Sequence, residues 1–425
     1  MSFIRRSLGM AAVLGIAAQL AATGVIAQES TIQKEEREER AVSMSEQVYK
    51  RLSAVHELIG EKQNAEALDK LAALEKQRLS PYEQALVYQA YGYVYINKND
   101  TKRAIEYFEK TLSTDALPNF AQQGMLYSLA GLYASEERYQ DAIRTLSTWF
   151  KYEEDPPADA NILMASSHFE LKQYEQALPW VQEAIKKREA GGKEPKESWY
   201  QLELAVYFEG NRYNDAAKLL RRMLAMWPDE AKYWKTLSGV YTTLEKDSEA
   251  LALMMLAYEK GHLTEEKELL NLVRLNLFLD IPYTAGVILD KEMNNGRIET
   301  NQKHLLLLKQ CWSNSREYDR TIEVLQALAE QSNNGEFDIE IAQILVEKTD
   351  WDGASTAARK GIDKGGLKKP GNAWLLLGMS LAEGGKYNEA ERALREAKKF
   401  TENRVNERAQ GWIDYINDRR QASGP

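Results

Sequence analysis

A small residue recurs along this sequence at a nearly fixed interval, and this periodicity limits the possible folds more than any other feature. The intervals run from 33 to 39 residues, and a small or apolar residue stands twelve positions earlier in every case except Lys309. Two helices approach closely only where one of the facing side chains is small. Each interval therefore predicts one hairpin of two helices. The recurring residues are Ala67, Ala104, Ala142, Ala177, Ala216, Ala250, Ala285, Thr321, Ala354 and Ala390.

Aromatic residues follow the same register, since a tyrosine precedes the small residue by three positions at Tyr139, Tyr174, Tyr213, Tyr318 and Tyr387. A period close to 34 residues with this pattern is typical of tetratricopeptide repeats. Each hairpin has apolar surface on both broad sides and can bury it only against its neighbours. The sequence thus predicts an all-α solenoid of the tetratricopeptide-repeat type, with about ten helical hairpins over residues 43–400.

Two further features of the sequence, one within a repeat and one after the last repeat, lead to specific predictions. Pro282 stands where the tyrosine of the Ala285 hairpin is expected, and we expect a preserved hairpin with an altered turn. After the last repeat, residues 401–425 are expected to form a capping helix and a short tail that closes the solenoid. The residues that form one apolar stripe of this helix are Ala409, Trp412, Ile413 and Ile416.

The first residues have the composition of an export signal. Arg5 and Arg6 precede a weakly apolar run that ends at Ala27, and we expect residues 1–27 to be a signal peptide cleaved between Ala27 and Gln28. The alternative is an uncleaved membrane anchor, although the run is short and poorly apolar for a membrane span. Residues 28–42 are a charged leader. We expect the mature protein to lie in the periplasm, without an integral membrane span.

Composition argues against several function classes. The net charge of −9 disfavours a nucleic-acid partner and electrostatic binding to anionic lipid. The single cysteine, Cys311, cannot form an internal disulfide. The four histidines fall in different repeats, and no glycine loop or nucleophile motif is present. We predict no cofactor, no metal and no enzymatic activity; a hydrolase would need paired Asp or Glu in a deep pocket, which no spacing suggests.

The remaining candidate is a concave protein-binding face. In such solenoids the second, fifth, ninth, twelfth and thirteenth places of each repeat point into the groove. Aromatic side chains flanked by amides and a few cations suit an extended or helical peptide. For Phe169 and Phe208, packing against a neighbouring hairpin is an equally good alternative. The predicted face comprises Gln89, Tyr93, Tyr127, Ile162, Phe169, Gln201, Phe208, Lys232, Lys235, Arg274, Gln310 and Gln343.

The segments between repeats carry a more specific resemblance. "KGHLTEEKELLNL" (260–272) and "GGLKKPG" (365–371), with longer stretches such as residues 196–228, resemble periplasmic tetratricopeptide-repeat proteins that accompany the TonB–ExbB–ExbD energy-transducing system of Gram-negative bacteria. The resemblance implies an accessory scaffold for energised uptake of iron chelates or similar nutrients, with TonB, ExbB or ExbD as partner. A periplasmic adaptor for outer-membrane protein, lipopolysaccharide or peptidoglycan assembly is the alternative.

Overall fold

The computed structural model describes residues 42–422, so the predicted signal peptide and almost all of the charged leader lie outside the described residues. Within this range the chain forms 21 α-helices and one short 3-10 helix, and no strand. It divides into two compact units at Met223 and Leu224. Within residues 42–422, no helix is long and apolar enough to cross a membrane.

The helices of the first unit form hairpins in chain order, and the last of them crosses the unit boundary. They are α1 (Glu46–Gly60), α2 (Asn64–Glu75), α3 (Pro81–Asn97), α4 (Thr101–Ser113), α5 (Asn119–Ser135), α6 (Tyr139–Trp149), α7 (Ala158–Glu170), α8 (Tyr174–Ala190), α9 (Glu197–Glu209) and α10 (Tyr213–Met226).

The second unit continues the same alternation and ends with a single helix. Its helices are α11 (Ala231–Thr243), α12 (Asp247–Glu259), α13 (Glu266–Phe278), α14 (Pro282–Asn294), α15 (Gln302–Asn314), α16 (Tyr318–Gln331), α17 (Glu336–Glu347), α18 (Trp351–Lys364), α19 (Pro370–Glu383), α20 (Tyr387–Ala397) and α21 (Val405–Ala422), with the 3-10 helix at Glu402–Arg404.

The predicted small residues lie where the helices of each hairpin meet. All ten, from Ala67 to Ala390, are on the second helix of a hairpin, and none is more than 1% exposed. The residues twelve positions earlier explain why small side chains are needed. A Cβ on Gly92 would lie 2.2 Å from the Phe108 ring, and one on Gly378 would lie 2.6 Å from Leu394. The prediction of ten helical hairpins is confirmed.

Every hairpin also turns in the same way. A residue five positions before the small residue has a φ between 54° and 73°, in the left-handed region. The Ala285 hairpin shares this geometry through Asp280, so the expectation of an altered turn is wrong. Pro282 is the first residue of α14, where a missing N–H costs no hydrogen bond. The ten turn residues are Lys62, Asn99, Glu137, Lys172, Asn211, Glu245, Asp280, Arg316, Thr349 and Gly385.

The last helix covers the end of the second unit. Val405, Ala409 and Ile416 of α21 are fully buried in one apolar cluster with residues of α19 and α20. Trp412 and Ile413 are partly buried against the same cluster. The predicted apolar stripe thus faces the last hairpin.

Candidate functional site

A pocket of about 590 Å³ opens in the second unit between α11, α12 and α13. This volume is within the roughly 300–1,000 Å³ of typical ligand sites. The first helices of two successive hairpins, α11 and α13, supply most of its wall. The lining residues are Trp234, Lys235, Ser238, Gly239, Thr242, Asp247, Met254, Ala257, Leu263, Glu268, Asn271, Arg274, Leu275 and Phe278.

Helical spacing explains why α13 contributes a continuous wall. Asn271, Arg274 and Phe278 are three and four residues apart, so they lie on one stripe of the helix. On α11, Lys235 and Gly239 are four residues apart and lie on the corresponding stripe. The two stripes face the pocket, and Met254 and Ala257 of α12 line it between them.

One ion pair joins the two walls. The Lys235 ammonium lies 2.5 Å from Oε1 of Glu268, while Oε2 of Glu268 accepts hydrogen bonds from the backbone N–H groups of Thr264 and Glu265 at the start of α13. Burial opposes the ionisation of Glu268, but the hydrogen bonds from Lys235 and these two amides outweigh it, so the pKa of Glu268 is below its ordinary value. Glu268 therefore stays ionised, and its charge balances that of Lys235.

Arg274 is the cation that remains available in the pocket. Its side chain is exposed, and no hydrogen bond or ion pair to Arg274 occurs within residues 42–422. Asp247 also lines the pocket, but it lies in the first turn of α12, where the helix dipole favours a negative charge. A guanidinium can form two parallel hydrogen bonds to a carboxylate. The pocket can thus hold an anionic group at Arg274.

The apolar part of the pocket is unusually accessible. Phe278 is 72% exposed at the end of α13. Trp234 is half-buried, with its indole N–H donating to the carbonyl of Pro228 at 2.8 Å and its ring against His262. Leu275 lies beside Phe278 on the same wall. Exposed aromatic surface next to a cavity is a common feature of protein-binding sites.

Gly239 opens the pocket without any structural need for glycine. Its φ is not positive, and a Cβ built on it would meet no atom within 4 Å. A glycine inside a helix is less favourable than alanine by roughly 0.5–1 kcal/mol. At Gly92 and Gly378 a larger residue would collide with the facing helix, which explains the glycine, whereas at Gly239 no such contact exists. Gly239 thus leaves this position of the pocket wall without a side chain.

Two family models match parts of the sequence. One, described as tetratricopeptide repeat, matches residues 339–404. The fold is the tetratricopeptide-repeat fold. The other, described as anaphase-promoting complex, cyclosome, subunit 3, matches residues 97–184. No curated protein matches the sequence.

Solved tetratricopeptide-repeat structures resemble the chain at low identity. A tetratricopeptide-repeat protein from Parabacteroides merdae is 15% identical, with 62% of this chain and 99% of that chain covered and a TM-score of 0.36. The C-terminal part of a repeat protein from Cytophaga hutchinsonii is 15% identical over 60% of this chain and 99% of that chain, with a TM-score of 0.40. YrrB, described as having an unusual peptide-binding site, is 16% identical over 41% of this chain and 86% of that chain, with a TM-score of 0.34.

The tetratricopeptide-repeat register places five predicted face residues in the second unit, and two of them line the pocket. Lys235 and Arg274 are these two. Lys232, Gln310 and Gln343 are exposed, and the Lys232 ammonium lies 4.8 Å from the Tyr233 ring centroid and 3.4 Å from Glu230.

The predicted aromatic residues of the first unit are held within their own hairpins. Tyr93 packs edge-on against Phe108, Tyr127 lies 5.1 Å from the Trp149 ring, and burial together with Asp159 raises the pKa of Tyr127 to about 12. Phe169 lies 5.5 Å from the Tyr174 ring, and Phe208 lies 6.4 Å from the Tyr213 ring. These four side chains are half-buried.

The other three predicted face residues of the first compact unit are not aromatic. Burial raises the pKa of Tyr93, and the nearby Gln89 side chain opposes this rise. Gln201 donates to Glu197 at 2.9 Å. Ile162 is 7% exposed, so its assignment to the binding surface is corrected: it belongs to the core of α7. Its neighbours Asn161 and Met164 are also buried.

Several pocket residues were not among the predicted ones. Phe278 occupies the thirteenth place of its tetratricopeptide repeat, so the register alone could have identified it. Trp234, Glu268 and Asn271 lie outside the five places used, and no sequence signal distinguishes them. Within residues 42–422, no group of three or more His, Cys, Asp or Glu side chains could hold a metal ion.

Proposed function

We propose that this chain is a non-catalytic scaffold that binds a protein segment in the pocket between α11 and α13. The tetratricopeptide-repeat fold typically serves protein interaction rather than catalysis. The observation that carries the proposal is the pocket itself, in which an available guanidinium, an exposed phenylalanine and an unfilled glycine position meet. An extended segment could place one side chain in the pocket and run along the helices on either side.

The proposed cellular role is that of an accessory component of a TonB–ExbB–ExbD system in the periplasm. Two sequence features support it: the signal-like residues 1–27, and the resemblance of the segments between repeats, such as residues 260–272, to the TonB-associated repeat proteins. The scaffold would hold a segment of TonB, ExbB or ExbD in a productive arrangement for energised outer-membrane uptake.

The test measures binding of purified soluble segments of TonB, ExbB and ExbD to the immobilised protein by interferometry. Gly239→Leu adds a side chain to the pocket wall, where a Cβ meets no atom within 4 Å, and should weaken binding about tenfold or more. Gly411→Leu is the matched control, since Gly411 lies on α21 and a Cβ there also meets no atom within 4 Å. It should bind like the wild-type protein.

The outcomes separate the parts of this proposal. Binding that Gly239→Leu abolishes and Gly411→Leu leaves unchanged would support both the partner and the pocket. Absence of binding to every TonB-system segment would contradict the proposed role. Capture of outer-membrane or peptidoglycan assembly proteins from crosslinked periplasm would then favour the adaptor alternative.

A further inference from the structure

Three lysines occupy equivalent positions on the first helices of three successive hairpins in the second unit. Lys232, Lys267 and Lys303 each lie 18 residues before the small residue of their hairpin, so they occupy one register place on α11, α13 and α15. Lys267 lies four residues before Asn271 and seven before Arg274, on the same side of α13, although Lys267 itself does not line the pocket. Within the described part of the chain, Lys267 and Lys303 have no ion pair. The charged residues that line the pocket itself are Lys235, Arg274, Asp247 and Glu268.

The pairing of charges inside the pocket indicates which group of a partner it can bind. Lys235 and Glu268 neutralise each other at 2.5 Å, and Asp247 lies in the first turn of its own helix. Arg274 therefore faces the cavity with its charge unmatched by an ion pair. The exposed amide of Asn271 on α13 can bond the backbone of an extended segment.

We infer that the segment bound in this pocket carries an acidic side chain close to a large apolar one. The carboxylate pairs with Arg274, and the apolar side chain contacts Phe278 and Trp234. This inference rests on the proposed protein-binding function and adds the chemistry of the partner to it. A nucleic acid is disfavoured because the net charge of −9 opposes a long continuous polyanion.

The size of the expected effect follows from the kind of bond. A hydrogen-bonded pair between guanidinium and carboxylate contributes enough that its loss weakens binding by roughly tenfold or more. Lysine can supply the charge but not the two parallel hydrogen bonds, so Arg274→Lys should recover part of the affinity lost in Arg274→Ala. Phe278→Ala should weaken binding by removing the apolar contact, with no effect on the salt dependence.

The experiment selects binders from a random twelve-residue peptide library displayed on phage, with the full chain as bait. We expect the selected peptides to carry Glu or Asp within four residues of an aromatic or branched aliphatic residue. The most enriched peptide and its Glu/Asp-to-Gln/Asn analogue are then synthesised with amidated C-termini, and their affinities are measured by fluorescence anisotropy at low and high salt. The acidic peptide should bind about tenfold more tightly, and added salt should reduce this difference.

The variants identify the site. Arg274→Ala and Gly239→Leu should each weaken binding of the acidic peptide by about tenfold or more, whereas Gly411→Leu should leave its affinity unchanged. Selected peptides without acidic residues, or equal affinity of Arg274→Ala and wild-type protein, would overturn the inference. If a TonB-system segment binds and Arg274→Ala does not weaken it, the inference fails while the proposed function stands. If the acidic peptide binds at Arg274 and no TonB-system segment does, the inference stands and the cellular role fails.

Discussion

Thr349 has a backbone conformation that a β-branched residue rarely adopts. Its φ is 59°, as in the other nine hairpin turns, only one of which uses glycine. The left-handed region costs a non-glycine residue roughly 1–2 kcal/mol, and glycine loses about 0.5–1 kcal/mol more chain entropy on folding. We therefore expect Thr349→Gly to raise the free energy of unfolding by about 0.5–1 kcal/mol. The midpoint of urea unfolding measures this change.

The reverse substitution is the control for Thr349→Gly. Gly385 occupies the equivalent place with a φ of 73°, so Gly385→Thr should lower the unfolding midpoint. A lower midpoint for Thr349→Gly would mean that the threonine side chain makes a compensating contact, and would contradict the strain argument.

Glu83 joins the starts of two helices through one buried carboxylate. Oε1 accepts from the backbone N–H and the hydroxyl of Ser45, each at 2.9 Å, and Oε2 accepts from the backbone N–H of Ser80 at 2.8 Å. Burial opposes ionisation, but the hydrogen bonds from Ser45 and Ser80 outweigh it, so the pKa of Glu83 is below its ordinary value. The ionised side chain thus stabilises the contact between α1 and α3.

A depressed pKa in the folded state fixes the sign of the pH dependence. Ionised Glu83 contributes stability that is complete above the unfolded-state pKa and is lost as the pH falls through the lower folded-state pKa. Glu83→Gln should lower the free energy of unfolding by about 1–2 kcal/mol at pH 7, with a smaller difference below about pH 4. Urea unfolding at several pH values measures this, with Glu57→Gln on the exposed side of α1 as control. A difference independent of pH would show that the charge does not matter.

At the scale of the helix, glycines with and without a packing role should respond oppositely to the same substitution. Gly92→Ala would place a Cβ 2.2 Å from the Phe108 ring, and we expect it to lower the free energy of unfolding by about 1–3 kcal/mol. Gly239→Ala meets no atom and should raise it by about 0.5–1 kcal/mol. Thermal unfolding followed by circular dichroism checks both signs. Equal effects would remove the argument that Gly239 has no structural role.

The helical hairpins were predictable because their cause is local in the sequence. A close crossing needs a small residue at a fixed distance from its partner, and this requirement recurs from Ala67 to Ala390. The pocket was predictable only in part. Ile162 and Lys235 occupy the same place of their repeats, yet Ile162 is core and Lys235 lines the pocket. The repeat register predicts the direction in which a side chain points. Whether that side chain is buried or lines a pocket depends on the size of the side chains on the neighbouring helices.

In a repeat array each hairpin is stabilised by its neighbours, so an end of the array needs protection. At the C-terminal end, α21 provides it. Val405 and Ile416 are fully buried against the last hairpin, and Arg420 lies 3.1 Å from Glu391 of α20. Burial of an aliphatic side chain contributes roughly 1.5–3 kcal/mol, so the buried side chains of α21 stabilise the last hairpin by more than one partly exposed ion pair contributes.

Truncation after Thr401 should therefore destabilise α19 and α20 before any other part of the second unit. We expect faster amide hydrogen exchange in residues 370–397, since the apolar cluster around Leu394 and Ala397 loses its cover. The exposed cluster should also cause association at micromolar concentration, visible by size-exclusion chromatography. Truncation after Ala422 keeps α21 and serves as the control. Unchanged exchange in α19 and α20 would mean that the last hairpin is stable without a cap, and nearest-neighbour stabilisation would then not explain the end of this solenoid.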